Sequence, residues 1–243
     1  EIVIADDGSD QNTKKVIDKL RSQINIPIQH VWHEDDGFQK TKILNKAILA
    51  STTDYLIFTD GDCIPRKDFV ATHLKYKEKD CFLSGGYFKL SMETSKAITK
   101  ENIKNQDCFS ILWLLKNHMH FSLKFVKLLP FKFINIFLNS ITPTRPTWNG
   151  HNSSAFKSDL VKVNGFNNEM QYGGEDRELG ERLVNAGLKP KQIRYFAICV
   201  HLDHARGYVS NEVWIKNNKI RENTHTHKIT FTPNGISNIS CFE

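Results

Sequence analysis

The sequence has few cysteines, and none of them forms a recognisable pair. Five cysteines lie at positions 63, 81, 108, 199 and 241, with no Cys-x-x-Cys spacing among them. An odd, unpatterned set is typical of reduced thiols in an intracellular protein rather than of a disulfide framework. We therefore expect buried, reduced thiols and a cytoplasmic protein.

Long apolar runs and internal repeats are also missing. No stretch of 18 uncharged apolar residues is present, so the sequence predicts no membrane-spanning helix. Of the 243 residues, 40% are hydrophobic and 25% are charged, which is the composition of an ordinary globular protein. This length is enough for one large domain or two small ones.

Acidic residues are absent from one block in the middle of the chain. From Cys108 to Ser158 there is no Asp or Glu, and six basic residues there equal the whole net charge of +6. Apolar residues in the block favour an anionic lipid surface over nucleic acid as the partner, at the cytoplasmic face of a membrane. The six basic residues are Lys116, Lys124, Lys127, Lys132, Arg145 and Lys157.

The same block contains two apolar stripes at helical spacing. Phe121, Phe125, Leu128 and Leu129 form the first stripe, and Pro130 ends it. A second stripe begins at 133 and continues through 136 and 137. Such stripes are either ordinary core or a membrane-facing surface, and a mixed outcome, with one docked and the next exposed, is a third expectation.

The order of elements predicts an α/β fold with a doubly wound, mostly parallel, Rossmann-like sheet. Apolar runs at Ile2 to Ala5, Ile26 to Trp32 and Asp54 to Asp60 read as strands, and helical segments separate them. In the first of these helices, Val16, Ile17 and Leu20 are spaced to face the sheet. A further strand is expected over 81–88.

The rest of the chain predicts an inserted helical segment and a second half of the same domain. We expect one domain with a first half at 1–90, a basic and apolar helical insertion at 91–146, and a second half at 147–243. Within the second half, Gly173 and Gly174 precede a helix that begins with Glu175 and stops at Gly187.

Two carboxylates follow the strand at 54–60. Asp60 and Asp62 lie where ligands collect in an open α/β sheet, and two acids this close repel unless a cation separates them. Mg²⁺ or Mn²⁺ accepts such oxygen ligands, and His201 or its rival His204 would add a nitrogen that favours Mn²⁺. The alternative is a polar turn with two solvated acids.

Five motifs together resemble a known enzyme family. Ile4 to Ser9, Asp60-Gly61-Asp62 and Gly173 to Asp176 resemble the inverting, nucleotide-sugar-dependent glycosyltransferases of family 2 with the GT-A fold. Phe38 to Asn45 and Val163 to Phe166 are similar to β-1,4-galactosyltransferase and chondroitin-polymerase domains. The resemblance covers roughly residues 1–90 and 147–205. It also implies a further strand and helix before the equivalent of Glu1.

The resemblance assigns one set of residues to the sugar donor. A divalent cation on Asp62 would neutralise the leaving phosphates, and Asp60 would reach that cation or the ribose. Asp7, with Asp6 as the alternative, would accept a hydrogen bond from a uracil-type base. The remaining donor contacts are Phe38, Lys40, Gly85 and Gly86, and Lys40 replaces an arginine of the family, so the bidentate fork is lost.

A second set is assigned to the acceptor. Asp176 matches the family's catalytic base, and the positive end of the helix dipole favours its ionised form. Glu175 would hydrogen-bond the acceptor, although both acids are also ordinary residues for a helix start. Tyr172 and Trp148 would stack on a sugar ring or belong to the core.

The predicted function is metal-assisted transfer of a sugar, with inversion, from a nucleotide donor to a glycan or lipid-linked acceptor in surface polysaccharide biosynthesis. Two alternatives remain open at this point. A metal-dependent nucleotidyltransferase also uses two acids after a strand, but it would release pyrophosphate and has no need of Gly173 to Asp176. A non-catalytic carbohydrate-binding derivative would bind donor and glycan without turnover.

Overall fold

The computed structural model describes residues 1–129, 131–205 and 210–239. The predicted break at Pro130, the thiol of Cys241 and the side chain of Lys132 lie outside that description. Nine strands lie in the described residues: β1 (Ile2–Asp7), β2 (Ile28–His33), β3 (Tyr55–Phe58), β4 (Cys63–Pro65), β5 (Cys81–Ser84), β6 (Gly86–Lys89), β7 (Ser153–Phe156), β8 (Lys189–Gln192) and β9 (Ile198–His201).

Helices separate most of these strands. The insertion predicted as mainly helical contains only short helices. The α-helices of the described residues are α1 (Gln11–Arg21), α2 (Lys40–Ala50), α3 (Phe69–Tyr76), α4 (Met92–Ala97), α5 (Lys100–Asn105), α6 (Ile111–Lys116), α7 (Lys132–Ile141), α8 (Lys157–Lys162), α9 (Glu175–Asn185) and α10 (Asn211–Thr226). Short 3-10 helices occupy Asp107–Phe109, Leu123–Leu128 and Ile236–Asn238.

The strands of the described residues form three sheets instead of one. β1 and β2 are parallel, the second sheet has the order β3-β7-β5-β8, and the third has the order β4-β9-β6. The pairs β5–β8 and β6–β9 are parallel, whereas β5–β7 and β4–β9 are antiparallel. The α/β class is therefore confirmed, and the sheets are mixed. Among the described strands β1 pairs with β2 alone.

The chain forms two compact units that interleave along the sequence. Unit 1 contains residues 1–56, 156–187 and the described residues from 210 onward. Unit 2 contains residues 57–155 and 188–206 as far as they are described. The sequence-based boundaries after residues 90 and 146 do not coincide with the boundaries of these units, because each unit is assembled from segments that are distant in sequence.

The predicted strand at 81–88 is two strands, which belong to different sheets. Gly85 separates β5 from β6, and its backbone N–H donates to the Asn152 carbonyl at 2.9 Å. A Cβ on Gly85 would lie 1.9 Å from Asn152 Oδ1. The Asn152 amide in turn donates to the carbonyls of Gly86 and Ala197 at 2.7 and 3.0 Å. Asn152 therefore joins the two sheets within unit 2, a contact that local sequence cannot reveal.

Helix α1 has the predicted position but buries less of its apolar side than expected. Ile17 is buried, whereas Val16 is 59% exposed and Leu20 is 48% exposed. The prediction that all three face a sheet is therefore wrong. Periodicity identifies the apolar side of a helix but does not say how much of that side is covered.

The core of unit 2 includes part of the apolar insertion. Phe125 and Leu128 are buried in it, and the Phe125 ring stacks on Phe88 with the ring centroids 5.2 Å apart. The next segment, α7, leaves its phenylalanines exposed, so the outcome is mixed. We find no helix, in the part of the chain that is described, with enough apolar length to cross a membrane.

Candidate active site

One group of candidate residues lies in unit 2, where β4 meets β9. The antiparallel register pairs Cys63 with His201, which brings His201 beside Asp62. The Leu202 N–H donates to the Asp62 carbonyl at 2.9 Å and fixes the chain after β9. His201 and His204 both direct Nε2 at Asp62 Oδ2, at 3.4 and 2.9 Å. From the sequence, the two histidines are alternative candidates for one nitrogen ligand. In the structure, both point at the same carboxylate.

The tautomer of each imidazole is fixed by a carbonyl on its other side. Nδ1 lies 2.7 Å from the Leu202 carbonyl in His201 and 2.9 Å from the Ala205 carbonyl in His204. Since a carbonyl can only accept, Nδ1 carries the proton, and in the neutral ring the lone pair is on Nε2. Each Nε2 lone pair thus points at Asp62, and His201 is the histidine whose ligand atom also converges with those of Asp62 and Cys63, as a divalent cation requires.

Cys63 is a third donor that sequence reasoning missed. The Cys63 sulfur, one ligand atom of Asp62 and one ligand atom of His201 all lie within 4.8 Å of one another. A hydrogen bond with Cys199, followed by burial, raises the pKa of the Cys63 thiol far above its usual value. Cys63, Cys81, Cys108 and Cys199 are all free and buried, which confirms the expectation of buried, reduced thiols for these four.

Asp60 lies near this group without joining it. Its backbone carbonyl accepts the Cys63 N–H at 3.1 Å, and its charge adds to the rise in the pKa of Cys63. Asp60 is not among the three residues whose ligand atoms can converge. A ribose contact for Asp60 remains a prediction.

The second group lies in unit 1, where β1 and β2 end together. Asp6 is buried and accepts from His30 at 2.7 Å and from the Ser9 N–H at 2.9 Å. Burial raises the pKa of Asp6, but these hydrogen bonds outweigh it and lower the pKa overall. Asp7 lies 2.6 Å from His33 Nε2 and keeps a quarter of its side chain exposed. Asp7 is thus the more accessible of the two predicted base-binding acids.

Asp7 also organises the loop that carries Phe38 and Lys40. The Gln39 N–H donates to Asp7 Oδ2 at 2.9 Å, just before α2 begins. Phe38 packs edge-on against Tyr172 with the ring centroids 5.8 Å apart, and Tyr172 is half-buried. Phe38, Lys40 and Tyr172 are thereby brought near the start of α9, since the charge of Lys40 acts on Glu175.

Helix α9 begins as predicted, after two glycines with positive φ. Gly173 and Gly174 have φ of +114° and +90°, a conformation that other residues adopt at a cost. Asn217 of α10 donates to the Gly173 carbonyl at 3.0 Å, and the Gly173 N–H donates to Glu175 at 2.8 Å. Gly187, with φ of +99°, follows the end of the helix.

Glu175 and Asp176, the first two residues of α9, differ in their surroundings. Glu175 is buried, and this burial together with the nearby charge of Asp176 raises the pKa of Glu175. The Lys40 charge acts in the opposite direction. Asp176 is half-buried in the first turn of α9, where the helix dipole favours a carboxylate.

The motif Val163 to Phe166 is held by buried polar side chains of unit 1. Asn164 and Gly165 have φ of +66° and +67°, and Asn45 of α2 hydrogen-bonds both the N–H and the carbonyl of Phe166 at 2.7 and 2.8 Å. Arg182 of α9 donates to the carbonyls of Val163 and Gly165. The motif thus orders the turn between α8 and α9.

Three predicted contacts with sugars are corrected by burial. Trp148 is fully buried and packs edge-on against Phe58, so it belongs to the core, which was the alternative reading. Gly85 and Gly86 are also buried, and a Cβ on Gly86 would lie 2.1 Å from the Arg194 carbonyl. Protein atoms lie where a side chain at either glycine would be, so the close approach that these glycines allow is to the protein itself.

Two family models match the chain. The model of Glycosyl transferase family 2 matches residues 1–138, and the model of the N-terminal domain of galactosyltransferase matches residues 141–205. Among curated proteins, the chondroitin synthase of Escherichia coli is 24% identical over 77% of this chain and 28% of that protein. The chondroitin synthase of Pasteurella multocida is 26% identical over 77% of this chain and 20% of that protein.

An uncharacterized glycosyltransferase of Bacillus subtilis is 24% identical over 84% of this chain and 57% of that protein. The chain thus spans between a fifth and three fifths of the curated relatives it matches.

Solved structures with the same fold include two with Mn²⁺. The mannosyltransferase of Pyrobaculum calidifontis with GDP-Man and Mn²⁺ has a TM-score of 0.55 at 16% identity, covering 94% of this chain and 53% of that one. GalNAc-T7 with UDP, GalNAc and Mn²⁺ has a TM-score of 0.57 at 15% identity, covering 91% and 41%. At these identities the likeness concerns the fold alone, and it confirms the GT-A-like architecture.

Proposed function

Because the chain belongs to glycosyltransferase family 2, we propose that it transfers a sugar from a nucleoside diphosphate sugar, expected to be UDP-linked, to a glycan or lipid-linked acceptor. The reaction is a direct displacement that inverts the anomeric centre, and it serves surface polysaccharide biosynthesis. The observation that carries the proposal is the convergence of His201 and His204 on Asp62. The solved structures of similar fold that hold GDP-Man, or UDP with GalNAc, support a nucleotide sugar as the donor.

The residues of unit 2 hold the leaving group. Asp62 and His201, with His204 as the alternative nitrogen ligand, would bind a divalent cation, Mn²⁺ or Mg²⁺, which would supply Lewis-acid neutralisation of the departing diphosphate. The imidazole donors favour Mn²⁺. The Nδ1–H groups of both histidines stay on the Leu202 and Ala205 carbonyls and keep the Nε2 atoms in place.

The residues of unit 1 recognise the base and activate the acceptor. Asp7 has a spare lone pair on each oxygen and accepts the N–H of the uracil-type base. Asp176 takes the proton from the acceptor hydroxyl as that oxygen attacks the anomeric carbon and the carbon–oxygen bond to the diphosphate breaks. Glu175 hydrogen-bonds the acceptor hydroxyl and Tyr172 stacks on the acceptor ring.

A pair of variants tests the two roles separately. Asp62→Ala is expected to abolish Mn²⁺-dependent binding of a UDP-sugar in calorimetry. Asp176→Asn is expected to bind donor normally and to lose at least about a hundredfold in nucleoside diphosphate release with acceptor, because a general base contributes at least that much. Asp18→Asn, an exposed carboxylate of α1, is the matched control and should change neither quantity.

Three results would contradict the proposal. Asp176→Asn retaining more than about a tenth of the rate would remove it as the base. Release of pyrophosphate instead of nucleoside diphosphate would indicate nucleotidyl transfer. Donor binding without any product, over a panel of UDP- and GDP-sugars and glycan acceptors, would indicate a binding protein. The anomeric configuration of the first product, measured by NMR, checks inversion.

A further inference from the structure

Helix α7 of unit 2 turns its polar side inward and its apolar side outward. Asn135 is 4% exposed and its amide donates to the Leu129 carbonyl at 3.4 Å. Asn139 accepts from the Tyr195 N–H at 3.4 Å, one helical turn further on. At 100° per residue these positions share one face, so the side facing the protein is the polar one.

The opposite face of α7 consists of large apolar residues. Phe133 is 86% exposed and Phe137 is 60% exposed. Ile141, which continues the same face at helical spacing, is also exposed. A helix of a globular protein normally buries this face, so α7 has the reverse of the usual arrangement.

The preceding segment also exposes large apolar residues. Phe121 is 77% exposed, and Leu123, the first residue of the 3-10 helix at Leu123–Leu128, is 86% exposed, whereas Phe125 of that helix is buried. Apolar side chains clustered on one surface mark an interaction site, whereas scattered ones need no explanation. We call the exposed residues of 121, 123, 131, 133, 137 and 141 the apolar face.

The charges of the same sequence block select the partner. The block from Cys108 to Ser158 contains no acid, and Lys116, Lys124 and Arg145 within it are exposed. Lys127 is occupied elsewhere, since it donates to the Tyr87 carbonyl at 3.1 Å and lies over the Tyr87 ring. Exposed phenylalanines and exposed cations in a block without acids are complementary to an anionic lipid surface, which offers both hydrocarbon and negative charge.

We propose that α7 lies in the headgroup region of an anionic leaflet, with Phe133 and Phe137 inserted and Lys116, Lys124 and Arg145 on the lipid phosphates. The protein is then peripheral at the membrane surface, and it meets there the lipid-linked class of acceptor. Membrane binding by the apolar face does not depend on catalysis. A failure of the proposed transfer reaction would therefore not contradict it.

Vesicle sedimentation of the 243-residue chain tests the apolar part of the surface. The chain is expected to sediment with vesicles of phosphatidylcholine and phosphatidylglycerol, and hardly at all with phosphatidylcholine alone. Phe133→Ser with Phe137→Ser should weaken partitioning at least about a hundredfold, since burying each ring contributes about tenfold or more. Phe231→Ser removes a phenylalanine of unit 1 that is 50% exposed, and it is expected to bind like the parent.

A second pair of variants tests the charges. Lys116→Gln with Lys124→Gln should lower partitioning by about 25-fold, because each basic side chain near such a surface contributes about fivefold. Lys15→Gln with Lys19→Gln, two exposed lysines of α1, should have no effect. At about 1 M salt, where the Debye length is about 3 Å, the parent should lose most of its binding.

Two outcomes would overturn the proposal. Equal partitioning into neutral and anionic vesicles, or none into either, would exclude an anionic surface as the partner. A dimer in sedimentation equilibrium that Phe133→Ser with Phe137→Ser dissociates would show instead that a second copy covers the apolar face. Circular dichroism and urea unfolding of each variant confirm that lost binding does not come from lost folding.

Discussion

Helices α7 and α9 are of similar length, and each has the burial pattern that the other would be expected to have. α9 buries charge: Glu178 and Arg182 are 1% and 0% exposed. α7 exposes hydrocarbon, with Phe133 at 86%. The difference shows that burial follows from what partners a side chain finds, and that residue type alone does not decide it.

The buried charges of α9 are tolerated because nearly every polar atom has a partner. Arg182 donates to both oxygens of Glu178 at 2.7 and 2.8 Å and to the carbonyls of Val163 and Gly165. Thr224 of α10 donates to Glu178 at 3.3 Å. A buried ion pair with this many hydrogen bonds repays its desolvation, whereas a broken one does not. α7 has no comparable partner for its apolar side in the described residues.

The largest expected effect is the loss of the buried pair. Arg182→Met should lower the free energy of unfolding by about 3–5 kcal/mol, because it leaves the buried Glu178 charge without its cation and two carbonyls without a donor. Arg177→Met, an exposed position of the same helix, should change it by less than about 0.5 kcal/mol. Urea unfolding measures both, and equal effects would mean that the Arg182 network contributes nothing specific.

A buried imidazole in unit 2 gives the next effect. His73 is fully buried between Ser154 Oγ at 2.7 Å and Asn152 Oδ1 at 2.9 Å, and burial lowers its pKa from 6.5 to about 4. Below pH 6.5 the unfolded chain binds a proton that the folded protein does not. Stability should therefore fall as pH drops from 6.5 towards 4, by roughly 3 kcal/mol from this group.

His73→Gln should be less stable than the parent at pH 7 and should lose less stability between pH 6.5 and pH 4. Urea unfolding at several pH values gives the slope. His225→Gln, at an exposed histidine of α10, is the matched control and should keep the parent's slope. A parent slope that His73→Gln leaves unchanged would show that His73 is not the titrating group.

Glu175 should produce a pH dependence of the opposite sign. Burial, and then the charge of Asp176, raise the pKa of Glu175 above the usual 4.5. The unfolded chain then releases its proton first, and stability is lost as pH rises from 4.5 through the higher pKa of the folded state. Glu175→Gln should lack this loss, and Glu212→Gln, exposed on α10, should retain it. Thermal unfolding between pH 4 and pH 8 distinguishes them.

The smallest expected effect belongs to the exposed side of α7. Phe133→Ala and Phe137→Ala should each change the free energy of unfolding by less than about 0.5 kcal/mol, since neither ring is buried in the fold. Phe125→Ala, at a buried ring of the preceding segment, should cost about 3–5 kcal/mol. A large cost at Phe133 would mean that its ring packs against the protein in solution.

Local patterns in the sequence were enough for several parts of the site. Asp60-Gly61-Asp62 follows an apolar run, and a turn after a strand is where ligands collect, so its place in the fold could be predicted. Gly173 to Asp176 correctly predicted that α9 begins at Glu175, because paired glycines before a polar first turn indicate a helix start from neighbouring residues alone. Local patterns do not show which of Asp6 and Asp7 is the more exposed. That exposure depends on His30 and Gln39, which are distant in the chain.

The sequence by itself determined the α/β class, most of the helices and strands, and the basic block without acids, because these depend on neighbours along the chain. Only the tertiary structure decided the rest. It brought His201 and His204 to one oxygen of Asp62, added the Cys63 thiol, and buried Trp148, Gly85 and Gly86. It also turned Asn135 inward and Phe133 outward. A pattern shows which side of an element is apolar, but the partners that cover that side come from elsewhere in the chain.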